Sequence, residues 1–132
     1  MPDRQRKENV MQYLVDMRLA DSSRPNTPHD ALALIEQYIL PSLELCRKYE
    51  HEKKIVAGGP MSATIGLALI VEARSALELD QIVTSLPLWS RTRTTVTPLT
   101  TFAGRAEVIE PAREQLRALV KSGGRGSREA DQ

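Results

Sequence analysis

Ser85-Leu86-Pro87-Leu88-Trp89, followed after a short interval by Thr94-Thr95-Val96-Thr97-Pro98-Leu99, decides the fold. Proline at 87 fixes its own φ and biases Leu86 away from the helical region. A helical pattern running into this stretch must therefore stop, and the threonine-rich segment beyond it reads as a closing strand. That strand is expected to begin near Trp89 and to run from about Ser90 to Leu99.

Upstream of the stop lies Ser75-Ala76-Leu77-Glu78, a capping-box helix start. Ala76, Leu79, Ile82, Val83 and Leu86 continue it as an apolar stripe. Before it, Ile65–Glu72 alternates as a strand: Ile65, Leu67, Leu69 and Val71 on one face, Gly66, Ala68, Ile70 and Glu72 on the other. Ile55–Pro60 is a short strand, close enough to pair with it as an antiparallel hairpin. Thr27-Pro28-His29-Asp30 reads as an N-cap, a first-turn proline and a first-turn acid. The helix it opens carries Ala31, Leu34, Ile35, Tyr38, Leu45 and Tyr49, with Pro41 predicting a kink or a break. Met11, Tyr13, Val15, Met17 and Leu19 recur with period two and predict the first strand. Strand, helix, strand, strand, helix, strand is the ferredoxin-like α+β arrangement, an antiparallel four-stranded sheet with both helices on one face.

The expected organisation is a flexible arm over 1–9, the ferredoxin-like unit over 10–100, a helical extension over 101–121 and a flexible tail over 122–132. In the extension, Glu110–Lys121 reads as helix, with an apolar stripe that must be buried somewhere. Composition narrows the function. The chain has 132 residues, a net charge of +1 and 4% aromatic residues. Neither a basic surface nor stacking residues argue for nucleic acid. No apolar run matches a membrane span. One cysteine, Cys46, excludes an internal disulfide and suits a reducing cytoplasm, where a soluble protein is expected. No phosphate loop, dinucleotide fingerprint or zinc-type Cys/His spacing is present, so neither metal nor cofactor is expected. The sheet face opposite the helices carries Leu14, Gly66, Ala68 and Ile70. A half-apolar face of that kind predicts a homodimer or higher homo-oligomer, sheet against sheet.

Tyr13-Leu14-Val15-Asp16-Met17, Leu86-Pro87-Leu88-Trp89 and Val96-Thr97-Pro98-Leu99 together resemble the muconolactone delta-isomerase family, over roughly Val10 to Leu99. The resemblance implies a dimeric α+β barrel assembling into larger rings, a small acidic lactone from aromatic-compound breakdown as substrate, and no cofactor. It implies a reaction that moves a double bond by proton abstraction and return, with stabilisation of an enolate oxygen. The chain departs from the family pattern at Asp16, where a basic residue is usual. It also lacks the Trp-x-x-x-Trp-Arg segment, reading His51-Glu52-Lys53-Lys54-Ile55-Val56 there, and the histidine after the last motif, reading Thr100-Thr101-Phe102. A non-catalytic ligand-binding or assembly module, or a YciI-like or monooxygenase-like enzyme, are the competing readings on the same fold.

Five ionisable residues are candidates for catalysis. Arg91 and Arg93 alternate along the closing strand, share one face in that reading, and suit a substrate carboxylate or a solvated surface equally. His51 reads as a proton shuttle or as a surface histidine at a helix end. Glu72 and Asp16 would each serve as a base if buried, or else pair with an arginine. Tyr13, Trp89 and Leu88 are candidate walls of a substrate pocket, and packing residues in the alternative.

Overall fold

A computed structural model describes the backbone of residues 10–131 and the side chains of residues 10–123. The arm over 1–9 lies outside the described residues. The chain divides between Leu99 and Thr100 into two units.

The first unit runs β1 (Met11–Leu19), a 3₁₀ turn (Asp21–Ser23), α1 (Pro28–Leu34), a π-helical turn (Ile35–Ile39) and α2 (Leu40–His51). It continues with β2 (Ile55–Pro60), β3 (Gly66–Ala73), α3 (Ala76–Ser85), a second 3₁₀ turn (Pro87–Arg91) and β4 (Thr92–Leu99). The sheet order is β2-β3-β1-β4, antiparallel throughout. This is the ferredoxin-like α+β fold. The period-two pattern sets the register. Tyr13, Val15 and Met17 lie opposite Val71, Leu69 and Leu67, and all six are buried. Leu34, Ile82, Val83, Leu86 and Leu88 close the core over them from the helix side. Prolines 60 and 98 fall on the edge strands β2 and β4, where a missing N–H breaks no central ladder.

Both helix starts follow their sequence signals. Thr27 accepts from the Asp30 N–H and Ser75 from the Glu78 N–H, each at 3.1 Å. Helix α2 ends without glycine: Lys53 takes a φ of 62°, and Lys54 donates back to the Tyr49 carbonyl at 2.9 Å. The interruption expected at Pro41 takes the form of a π turn just before it rather than an end of the helix. The chain widens into the π turn one turn earlier, where Leu40 donates to the Ile35 carbonyl, and α-helix resumes at Leu40. A wide turn lets backbone carbonyls step aside from a proline ring that would otherwise crowd them.

The closing strand also differs from expectation. Leu86 is extended, as Pro87 requires, but Pro87–Arg91 forms a 3₁₀ turn and the strand begins only at Thr92. Trp89 closes that turn by donating to the Leu86 carbonyl at 2.9 Å. The Leu88 N–H is met by the Oγ of Ser42 at 2.8 Å, and Ser42 is 0% exposed. A buried amide in an irregular turn needs such a partner, and α2 supplies it.

The second unit is helix α4 (Phe102–Asp131). The expected span Glu110–Lys121 lies inside it, and helical backbone continues over 122–131, the residues read as a flexible tail.

Candidate functional site

The helix-facing side of the sheet is packed solid, with Val15, Met17 and Val71 fully buried. Room for a ligand opens instead at the end of the sheet where β1 leaves it. The polar segment after β1 meets the end of the second 3₁₀ turn, where Ala20 donates to the Arg91 carbonyl at 2.9 Å. The result is a cleft of about 320 Å³ lined by Ser22, Ser23, Asn26, Asp30, Tyr38 and Arg91, among others.

Arg91 is the organised cation of this cleft. Its guanidinium lies 4.6 Å from the centre of the Tyr38 ring and donates to the Tyr38 hydroxyl at 2.9 Å. Among the described residues no carboxylate pairs with it at ion-pair distance. Stacking holds a planar guanidinium in one orientation and leaves its remaining N–H groups available, the arrangement that receives a carboxylate as a fork. Asp30 also lines the cleft, as does Arg24, which is tied to Asp21 at 3.4 Å. The arrangement can hold a small anion at Arg91 with a carboxylate and hydroxyl groups nearby.

The other residues singled out from the sequence are dispersed. Arg91 and Arg93 do not share a strand face. Arg91 ends the 3₁₀ turn on the cleft, whereas Arg93 lies in β4 opposite Arg18, on the sheet face away from the helices. The strand starts later than expected, so the alternation linking the two arginines does not exist. Asp16 and Glu72 both sit on that open face. Asp16 is paired with Arg18 at 3.1 Å, and Glu72 accepts from the Gln12 side chain at 3.1 Å. Both are partly exposed, and each is already engaged by a neighbouring side chain. His51 ends α2, exposed, in a hollow of about 630 Å³ formed with Glu44, Arg47, Lys48 and Glu50. That hollow is bounded by a single helix, so nothing encloses a ligand there. Tyr13 and Leu88 are core residues at 9% and 2% exposure, and neither lines the cleft. Trp89 stands half-exposed on the 3₁₀ turn, also outside it. Burial pushes the Cys46 thiol from 9.0 up to about 11, with Glu50 adding to the effect, so it is protonated at neutral pH and is no nucleophile.

Tyr38 and Asp30 were not read as site residues from the sequence. Their signals were those of a helix stripe and a helix start, and the pairing with Arg91 spans 53 positions.

No family model matches the chain, and no curated protein matches it. Among solved structures it is similar to that of a glycine-to-threonine point mutant of Rv3291c, at 17% identity and a TM-score of 0.42. The match covers 74% of this chain and 56% of that one, so this chain spans little more than half of its neighbour's length. Among the described residues, no helix is long and apolar enough to cross a membrane.

Proposed function

We propose that the protein binds a small carboxylic acid in the cleft at Arg91. The observation that carries this reading is the guanidinium stacked on Tyr38 with no carboxylate partner of its own. The resemblance of the β1 and closing-strand motifs to muconolactone delta-isomerase points to a lactone acid as the ligand class. Calorimetric titration with muconolactone tests it. Arg91→Ala is expected to weaken binding roughly 10- to 100-fold, the worth of one charge-assisted fork, and Arg91→Lys to recover only part of the loss. Absence of heat with the unaltered protein, or equal affinity in Arg91→Ala, would remove the proposal.

Asp30 in the same cleft favours a second, finer reading, an isomerase. Its carboxylate would take a proton from a ring carbon of the bound lactone, the electron pair would pass to the lactone carbonyl as an enolate, and the same proton would return at the other end of the double bond. No oxidant or cofactor enters that balance. Loss of turnover with retained binding in Asp30→Asn, followed by ultraviolet absorbance, supports this reading over simple binding.

We propose further that the open sheet face pairs with that of a second copy. Two polar pairs on it, Gln12–Glu72 and Asp16–Arg18, are satisfied within the chain, and Leu14, Ile70, Ala68 and Leu99 add apolar surface to the same face. Leu14 is 36% exposed there. A dimer is expected by sedimentation at micromolar concentration, weakened at least about tenfold by Leu14→Glu. A clean monomer for the unaltered protein contradicts it.

A further inference from the structure

The 3₁₀ turn that carries Arg91 is tied at two points to the helical run over 35–51. The Leu88 N–H donates to the Ser42 Oγ at 2.8 Å, and the Arg91 guanidinium donates to the Tyr38 hydroxyl at 2.9 Å. Tyr38 and Ser42 stand four residues apart on the helical run, and Leu88 and Arg91 three apart on the turn. The two points are unequal. Tyr38 and Arg91 line the cleft, where water and ligand compete for their polar atoms. The Leu88–Ser42 bond lies in the core, with Ser42 0% and Leu88 2% exposed. A hydrogen bond out of water is held more firmly, and breaking it strands a buried amide.

The hydroxyl at 42 is there for this bond rather than for packing or helix formation. The buried residues around it are apolar, with one tyrosine, and alanine would serve the helix better. What alanine lacks is the acceptor. The other ties of the turn do not set its position against the helix. Trp89 bonds to Leu86 and Ser90 to Pro87 within the junction itself, and Ala20 reaches the Arg91 carbonyl from the end of β1.

We propose that Ser42 is a positioning residue for the Arg91 cleft. Its hydroxyl fixes the turn against the helix, and so fixes the guanidinium on the Tyr38 ring. The inference rests on the reading of Arg91 as the group that holds a carboxylate. Ser42 does not line the cleft and touches no ligand. It acts through the backbone, three residues before the arginine. A fork of two hydrogen bonds is directional, so a shift of about 1 Å at its base is enough to weaken it.

The experiment compares Ser42→Ala with Ser85→Ala in the full chain. Ser85→Ala is the control, because the Ser85 hydroxyl meets that of Tyr49 at 2.6 Å and ties α3 to α2 without bonding to the turn. Proton NMR without ligand reads the stack, since a methylene held over a ring face resonates upfield. The Arg91 δ-methylene is expected upfield in the unaltered protein and in Ser85→Ala, and more than half way back to its ordinary position in Ser42→Ala. Calorimetry with muconolactone reads the consequence. Ser42→Ala is expected to weaken binding about 3- to 10-fold, and to change nothing further when Arg91 is already alanine. An Arg91 signal unmoved by Ser42→Ala, moved as far by Ser85→Ala, or ordinary in the unaltered protein overturns the inference. So does an affinity loss of equal size with and without Arg91. Absence of heat with the unaltered protein removes the ligand reading alone, because the ligand-free signals still decide what Ser42 does. If Ser42→Ala does not fold, Ser42→Cys replaces it under the same outcomes, its thiol filling the space while accepting only weakly.

Discussion

Leu86→Ala is expected to lower the unfolding free energy by about 2–5 kcal/mol, the range for removing a large aliphatic side chain from a packed core. Leu86 is 1% exposed and sits where α3 meets the 3₁₀ turn. Its N–H reaches the Val83 carbonyl and its own carbonyl receives the Trp89 N–H, so the backbone there is tied from both sides and cannot collapse freely into the void. That puts the cost toward the upper part of the range. Against a typical domain stability of about 5–15 kcal/mol, the variant should still fold but with a urea midpoint clearly shifted at unchanged slope. A loss below about 1 kcal/mol would mean that Leu86 does not hold the junction as described.

Gly58→Ala is expected to be comparably damaging for a different reason. Gly58 has a φ of 102°, a conformation that side chains rarely adopt, and a Cβ there would run into the Ala68 carbonyl oxygen of the neighbouring strand. The edge strand β2 must shift or detach, at a cost of about 2–4 kcal/mol. Hydrogen exchange should show the damage as faster exchange in β2, with protection retained between β1 and β3. Gly59→Ala is the matched control, because a Cβ at 59 meets nothing within 4 Å. Equal stability of the two variants would refute the account of Gly58.

Most of the fold was legible because its signals are short-range and periodic. Alternation in β1 and β3 decides which residues face the helices, and Thr27 and Ser75 mark helix starts through contacts three residues away. The junction after Leu86 was legible only as a stop. The 3₁₀ turn that follows Pro87 has its Leu88 amide met by the Ser42 hydroxyl, 46 positions away. No local pattern carries that information. The site was harder still to see. Arg91 was singled out for its charge, but its partner Tyr38 looked like one more apolar position on a helix stripe. His51, Asp16 and Glu72 stand out in the sequence by chemical type, but folding puts His51 at the end of α2 and Asp16 and Glu72 on the open sheet face, none of them on the cleft.

The π turn at Ile35–Ile39 explains why the stripe in that helix looked imperfect. It takes up one residue more than an α-helical turn, and each residue of α-helix rotates the face by about 100°. The extra residue is thus a phase correction. It brings Leu34, Tyr38 and Ser42 onto nearly one line, so that the core contact, the partner of Arg91 and the partner of Leu88 come from consecutive turns of the same side. Removing one residue from this turn would reset the phase of everything downstream, taking Ser42 away from the second 3₁₀ turn. Chains of this architecture that share the cleft should therefore share the length of this helix more strictly than its composition.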